Sequence, residues 1–169
     1  MSPILELGLA VKTRRSDMGL TQTAVSALSG LSRATVNQLE KGAVKDLSLT
    51  RTARLLDVLG LSMTIAAPRT GRRTDQPKKS RALDIAARTA SVSYKVPVGA
   101  QQLRDVLTTG VLSADIVPHV YALLDEAPVS LLASVVEQLH EEAGIEHAKA
   151  WKQMRALAHQ LKSSREIWQ

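Results

Sequence analysis

Residues 19–42 constrain the fold of this chain more than any other stretch. They run G-L-T-Q-T-A-V-S-A-L-S-G-L-S-R-A-T-V-N-Q-L-E-K-G. The pattern is two short helices joined by a tight turn at Gly30. Thr21 and Ser32 stand where a hydroxyl caps a helix by accepting a free backbone N–H of the first turn. Val25, Leu28, Leu31, Val36 and Leu39 fall where two crossed helices touch. The opposite face of the second helix carries Arg33, Ala34, Thr35, Asn37, Gln38 and Lys41.

That face is rich in donors and acceptors and poor in net charge, the chemistry that fits base edges in a major groove. The geometry expected is a helix-turn-helix, and the partner it implies is double-stranded DNA. The run resembles the XRE-family helix-turn-helix, found in lambdoid phage repressors and HipB-like antitoxins. The matching marks are Leu20-Thr21-Gln22, Gly30, Ser32-Arg33-Ala34-Thr35-Val36 and Leu39-Glu40-Lys41-Gly42. The resemblance covers residues 7–65. It implies that Gln22 braces the first helix against a phosphate. It further implies that Ser32, Arg33, Ala34 and Gln38 face the groove, and that Arg15 pairs with Glu40 as a structural lock.

Charge divides the chain along the same line. Residues 1–80 hold thirteen Lys/Arg against six Asp/Glu, net +7, while residues 81–169 hold nine against ten, net −1. The basic half is the one expected to meet phosphates. There is no cysteine, so disulfide and thiol chemistry are excluded. With no Phe and only two Trp and two Tyr, the core must be aliphatic and single-strand stacking lacks its side chains. The N-terminal residues lack the basic and apolar regions of a signal peptide, and no apolar run reaches membrane-spanning length. A cytoplasmic protein without membrane contact is expected.

Before the motif, Leu7, Val11 and Met18 predict a helix over 6–18, stopped by Gly19. After it, Ser48 caps a helix over 49–59 with Leu49, Ala53, Leu56 and Leu59 inward, stopped by Gly60. Leu61, Met63, Ile65 and Ala67 then alternate with Ser62, Thr64 and Ala66, which predicts a short strand. Such a strand has no partner in its own unit, so pairing across a two-fold axis is expected, with Leu61, Met63 and Ile65 at a homodimer contact. Residues 69–79 are polar, with five basic side chains, and read as a linker.

From Ser80 onward amphipathic stripes predict helices throughout. They run through Leu83, Ala86, Ala87 and Ala90, then Leu103, Val106 and Leu107. A stretch capped by Asp115 carries Ile116, Val117, Val120, Leu123 and Leu124, with Pro118 tolerated in its first turn. Leu131 to Leu139 and Trp151 to Leu161 supply two more, while 91–98 is a connector. The expected fold is mainly α: a DNA-binding unit at 1–68, a linker at 69–79 and a helical interaction unit at 80–169.

No catalytic or metal constellation stands out. His119, His140, His147 and His159 are scattered and read as solvated, and no glycine loop for phosphate and no nucleophile elbow are present. The pattern after Ser80 does not resemble the β-rich self-cleaving domain of phage-type repressors. No enzymatic activity and no cofactor are therefore expected. Trp151 and Trp168 are the large aromatics available to anchor a protein partner, Trp168 more so for its place next to the last residue.

These observations converge on a dimeric repressor that reads an inverted repeat. The resemblance narrows this to an antitoxin that autoregulates its operon and binds a co-encoded toxin, of nucleotidyltransferase or HipA-kinase type. Two alternatives stay open: a phage-type or metabolic repressor whose helical half binds a ligand or protein, and an adaptor that does not bind DNA.

Overall fold

A computed structural model describes residues 3–64 and 81–169. Within them lie nine α-helices and no strand. The first four are α1 (Pro3–Asp17), α2 (Gln22–Ser29), α3 (Arg33–Glu40) and α4 (Leu49–Val58). Hydroxyl caps start three of them. Thr21 accepts the Ala24 N–H at 3.0 Å, Ser32 the Thr35 N–H at 3.1 Å and Ser48 the Arg51 N–H at 3.4 Å. Gly30 closes α2 at φ 71°, a left-handed conformation that a side chain would strain, and so reverses the chain into α3 within three residues. Val11, Val25, Val36 and Leu39 are fully buried where these helices cross, each stabilising by roughly 1.5–3 kcal/mol.

The inward stripe of α4 differs from expectation. Thr52, Leu55, Leu56 and Leu59 are buried, whereas Leu49 is 66% exposed and Ala53 lies outside. Thr52 can be buried because its hydroxyl donates to the Ser48 carbonyl at 3.2 Å. The expected strand is also corrected over its described part, since residues 61–64 are irregular. The Leu61 N–H donates to Leu56 O at 2.8 Å and the Gly60 N–H to Asp57 O at 3.0 Å, so Leu61 closes α4. Met63 is 53% exposed, and Ile65 and Ala67 lie outside the described residues, as does the 69–79 segment.

The helical half comprises α5 (Ala82–Ser91), α6 (Ala100–Thr109), α7 (Val117–Glu126), α8 (Val129–Ala143) and α9 (His147–Gln160), closed by a 3-10 turn, Glu166–Trp168. Its stripes pack as expected: Leu83, Leu103, Val120, Leu123, Leu132, Val136 and Met154 are buried in one core. Asp115 does not cap α7. Ile116 holds that position, and the Val117 N–H donates to the Ser113 carbonyl at 3.2 Å instead. Among the described residues no single helix is long and apolar enough to cross a membrane. The apolar pair α7 and α8 bends by 118° at its junction.

Trp168 overturns the expectation of an exposed anchor, while Trp151 sits in the core as its helix stripe predicts. Trp151 is 1% and Trp168 2% exposed, with ring centroids 6.2 Å apart. The 3-10 turn folds the last residues back, and the Trp168 indole N–H donates to the Leu124 carbonyl at 2.9 Å. Arg165 joins it there, donating to Ala127 O at 2.6 Å and Leu124 O at 3.2 Å, so the end of α7 is satisfied by the chain's own last turn. His119 is likewise buried rather than solvated, with Nδ1 3.1 Å from Ala90 O and Tyr94 packed edge-on at a centroid distance of 4.5 Å.

Candidate nucleic-acid interface

On α3, residues Arg33, Ala34 and Gln38 are exposed, flanked by exposed Ser32 and Lys41, while Val36 and Leu39 anchor the other side in the core. An eight-residue helix held on one face and open on the other has the size and form of a groove-reading element. Ser32 already accepts the Thr35 N–H, and its hydroxyl lies 2.8 Å from that of Thr35. These two side chains set the start of the helix, whereas Arg33, Gln38 and Lys41 keep their polar ends in solvent.

Behind this face sits a network of four side chains. Arg15 Nε donates to Glu40 Oε1 at 2.6 Å and Nη2 to Oε2 at 3.1 Å, a two-pronged pair. Gln22 Nε2 donates to the same carboxylate at 2.9 Å and accepts from Asn37 Nδ2 at 3.2 Å. Arg15 also donates to the Leu20 carbonyl at 2.9 Å. The network therefore ties α1, the start of α2 and the end of α3 together. Asn37 and Gln22, both expected at the DNA surface, are half-buried and directed at each other. Burial alone would raise the Glu40 carboxyl. The hydrogen bonds from Arg15 and Gln22, with the charges of Arg15 and Lys12, outweigh that and hold it below the ordinary carboxylate range.

One supporting residue is not among those the sequence pattern singles out. Gly8 is buried where α1 crosses the end of α3, and a Cβ there would overlap the Leu39 carbonyl oxygen. A glycine inside a helical pattern is the signal that marks such a close approach.

Residues 6–66 match the family described as helix-turn-helix domain. The amino-terminal unit is a helix-turn-helix domain. No curated protein and no solved structure matches the chain. A helix-turn-helix domain suggests a DNA-binding regulator, and DNA is the partner it implies.

Elsewhere the histidines are committed to protein partners. His140 and His147, seven apart in sequence, stack at a centroid distance of 4.3 Å. His140 Nδ1 lies 3.0 Å from Ile145 O, and His147 Nε2 lies 2.9 Å from Glu137. Among the described residues no group of three or more His, Asp or Glu is placed to hold a metal.

Proposed function

We propose that the chain is a sequence-specific transcriptional repressor of the XRE type that works as a homodimer in the cytoplasm. The observation carrying this reading is the open Arg33–Ala34–Gln38 face of α3, braced from behind by the Arg15–Glu40–Gln22–Asn37 network. A pre-set helix loses little freedom on binding, so its base contacts go into discrimination. One such helix reads one half-site, which is the reason for expecting two copies on an inverted repeat about one helical turn apart, near 34 Å. Selection from a random duplex pool, followed by sedimentation of the complex, tests this. An enriched inverted repeat bound by two chains supports it, and recovery of no preferred sequence removes it.

The finer assignment is an antitoxin that represses its own operon and neutralises a co-encoded toxin of nucleotidyltransferase or HipA-kinase type. Its support is the resemblance of residues 19–42 to HipB-like antitoxins, together with a helical half whose net charge of −1 gives it no electrostatic reason to touch DNA. Co-expression with the neighbouring gene product is the test: the intact chain co-purifies with it and suppresses its toxicity. A truncated chain ending at Lys79 that neutralises fully would leave the helical half outside this role.

One observation favours a second reading, a repressor that answers a ligand. An open groove of about 590 Å³ lies between α5 and α8, with Ala82, Ile85 and Leu131 as its apolar lining, Ser134 and Gln138 as polar groups, and Arg81, Glu137, Glu141 and Glu142 as charged ones. Small-molecule sites commonly combine these features. A compound that shifts the melting temperature and releases the selected duplex would favour this reading over the antitoxin.

A further inference from the structure

The helical half meets the DNA-binding unit where α4 packs on α8 and the last turn on α2, and along a polar seam between α1 and α8–α9. On α9, which packs on α1, His147, Trp151 and Arg155 recur every four residues and so share one side of the helix. Arg155 reaches across to the corner between α1 and α2, donating to the Met18 carbonyl at 2.6 Å and the Gly19 carbonyl at 3.3 Å. From the other side Arg14 of α1 donates to Glu137 of α8 at 2.9 Å, and the second oxygen of that carboxylate lies 2.9 Å from His147 Nε2. Glu137 thus holds α1, α8 and α9 at one point.

The next residue on α1 is Arg15, which holds Glu40 at the end of the recognition helix. Adjacent residues on a helix point about 100° apart, so any roll of α1 that Arg14 permits moves Arg15 with it. Arg14 Nη1, Trp151 Nε1 and Arg155 Nε are buried without a protein acceptor among the described residues. A buried donor that lacks a partner weakens the closed arrangement, since opening returns it to water.

We propose that this seam is a conformational latch: closed, it fixes α1 and through Arg15–Glu40 the recognition helix; open, it slackens both. The closed form is the DNA-competent one, because α3 packs on α1 and α2 and keeps its Arg33–Gln38 face exposed while the latch is shut. Any partner or ligand that prefers the open form lowers DNA affinity by linkage. The functional half of the statement rests on the repressor reading, and the latch itself does not.

The test has two arms. Native-state hydrogen exchange on the intact chain without DNA reads the latch directly. The amides of Leu20 and Arg155 are expected to exchange through a shared partial opening, faster than those of Leu103 and Leu123 in the core. If all four exchange only with global unfolding, no latch exists. The second arm measures binding to a selected duplex by anisotropy for Glu137→Ala and Arg155→Ala, with folding checked by circular dichroism. Each is expected to weaken binding roughly five-fold or more, with a double variant below the product of the two. Folded variants within two-fold of the parent would overturn the coupling. A parent chain that selects no duplex, yet shows the partial opening, would count against the repressor reading and leave the latch standing.

Discussion

Arg14 and Arg15 are consecutive on α1 and hold different parts of the molecule: Arg14 Nη2 lies 2.9 Å from Glu137 in the helical half, and Arg15 Nε lies 2.6 Å from Glu40 on the recognition helix. α1 therefore works as a beam between two carboxylates that lie almost a hundred residues apart in sequence. Each carboxylate also serves a second helix, Glu40 through Gln22 and Glu137 through His147.

Breaking the inner pair is expected to be costly. Arg15→Ala leaves Glu40, whose side chain is 4% exposed, facing a site built for a cation. Removing one partner of a buried pair destabilises by about 3–5 kcal/mol, and Gln22 and Lys12 soften that to the lower end of the range. Urea titration of Arg15→Ala against the parent measures it. An Arg15→Ala, Glu40→Gln double variant should recover part of the loss.

Acid should loosen both anchors. Burial raises the Glu40 and Glu137 carboxyls. Arg15 and Gln22 at the first, and His147 and Arg14 at the second, more than offset it, so both groups sit below the ordinary carboxylate range. A carboxyl depressed by folding contributes stability that is complete above its unfolded value and is lost as pH falls through its folded value. Thermal melts are expected to be flat near neutrality and to fall once the pH drops below the ordinary carboxylate range. Glu137→Gln should shrink that fall.

At the recognition helix, Arg33→Ala and Gln38→Ala should each narrow the gap between selected and random duplex by about 1–3 kcal/mol. Lys41→Ala should weaken both duplexes alike and flatten the salt dependence. Competition binding at two salt concentrations separates these outcomes. Unchanged preference in all three variants would move the reading face off α3.

Gly8→Ala should destabilise the DNA-binding unit by about 1–3 kcal/mol, because α1 must lift from the Leu39 carbonyl to admit a methyl group. Elsewhere on α1 an alanine favours the helix, so Ala in place of exposed Thr13 is the control. Calorimetric melts distinguish the two.

The local parts of this structure are legible in the sequence and the long-range ones are not. Thr21, Ser32 and Ser48 announce their helices because a hydroxyl reaches an N–H three residues on, an interaction wholly contained in the sequence neighbourhood. The Arg15–Glu40 pair comes through resemblance, not spacing. The α4 stripe reads out of phase because Leu49 outranks Thr52 in apolarity, and only the Ser48 carbonyl shows why the threonine goes inside. Alternation at 61–67 suggests a strand, yet Leu61 and Gly60 close a helix through bonds that alternation does not encode. Arg14 and Arg155 look like surface cations, since their partners at Glu137 and the Met18 carbonyl are more than a hundred residues away. Trp168 misleads for a related reason: a terminal aromatic shows no sign of the 3-10 turn that carries it back to Leu124.

The two buried indoles also give the protein an optical asymmetry. The chain's only tryptophans are Trp151 and Trp168, both in the helical half, and residues 1–80 hold no tyrosine either. Intrinsic emission therefore reports events at the recognition helix only as they reach α9 or the last turn, which packs on α2. A spectral change on adding duplex DNA would be light emitted by one half of the chain about binding at the other.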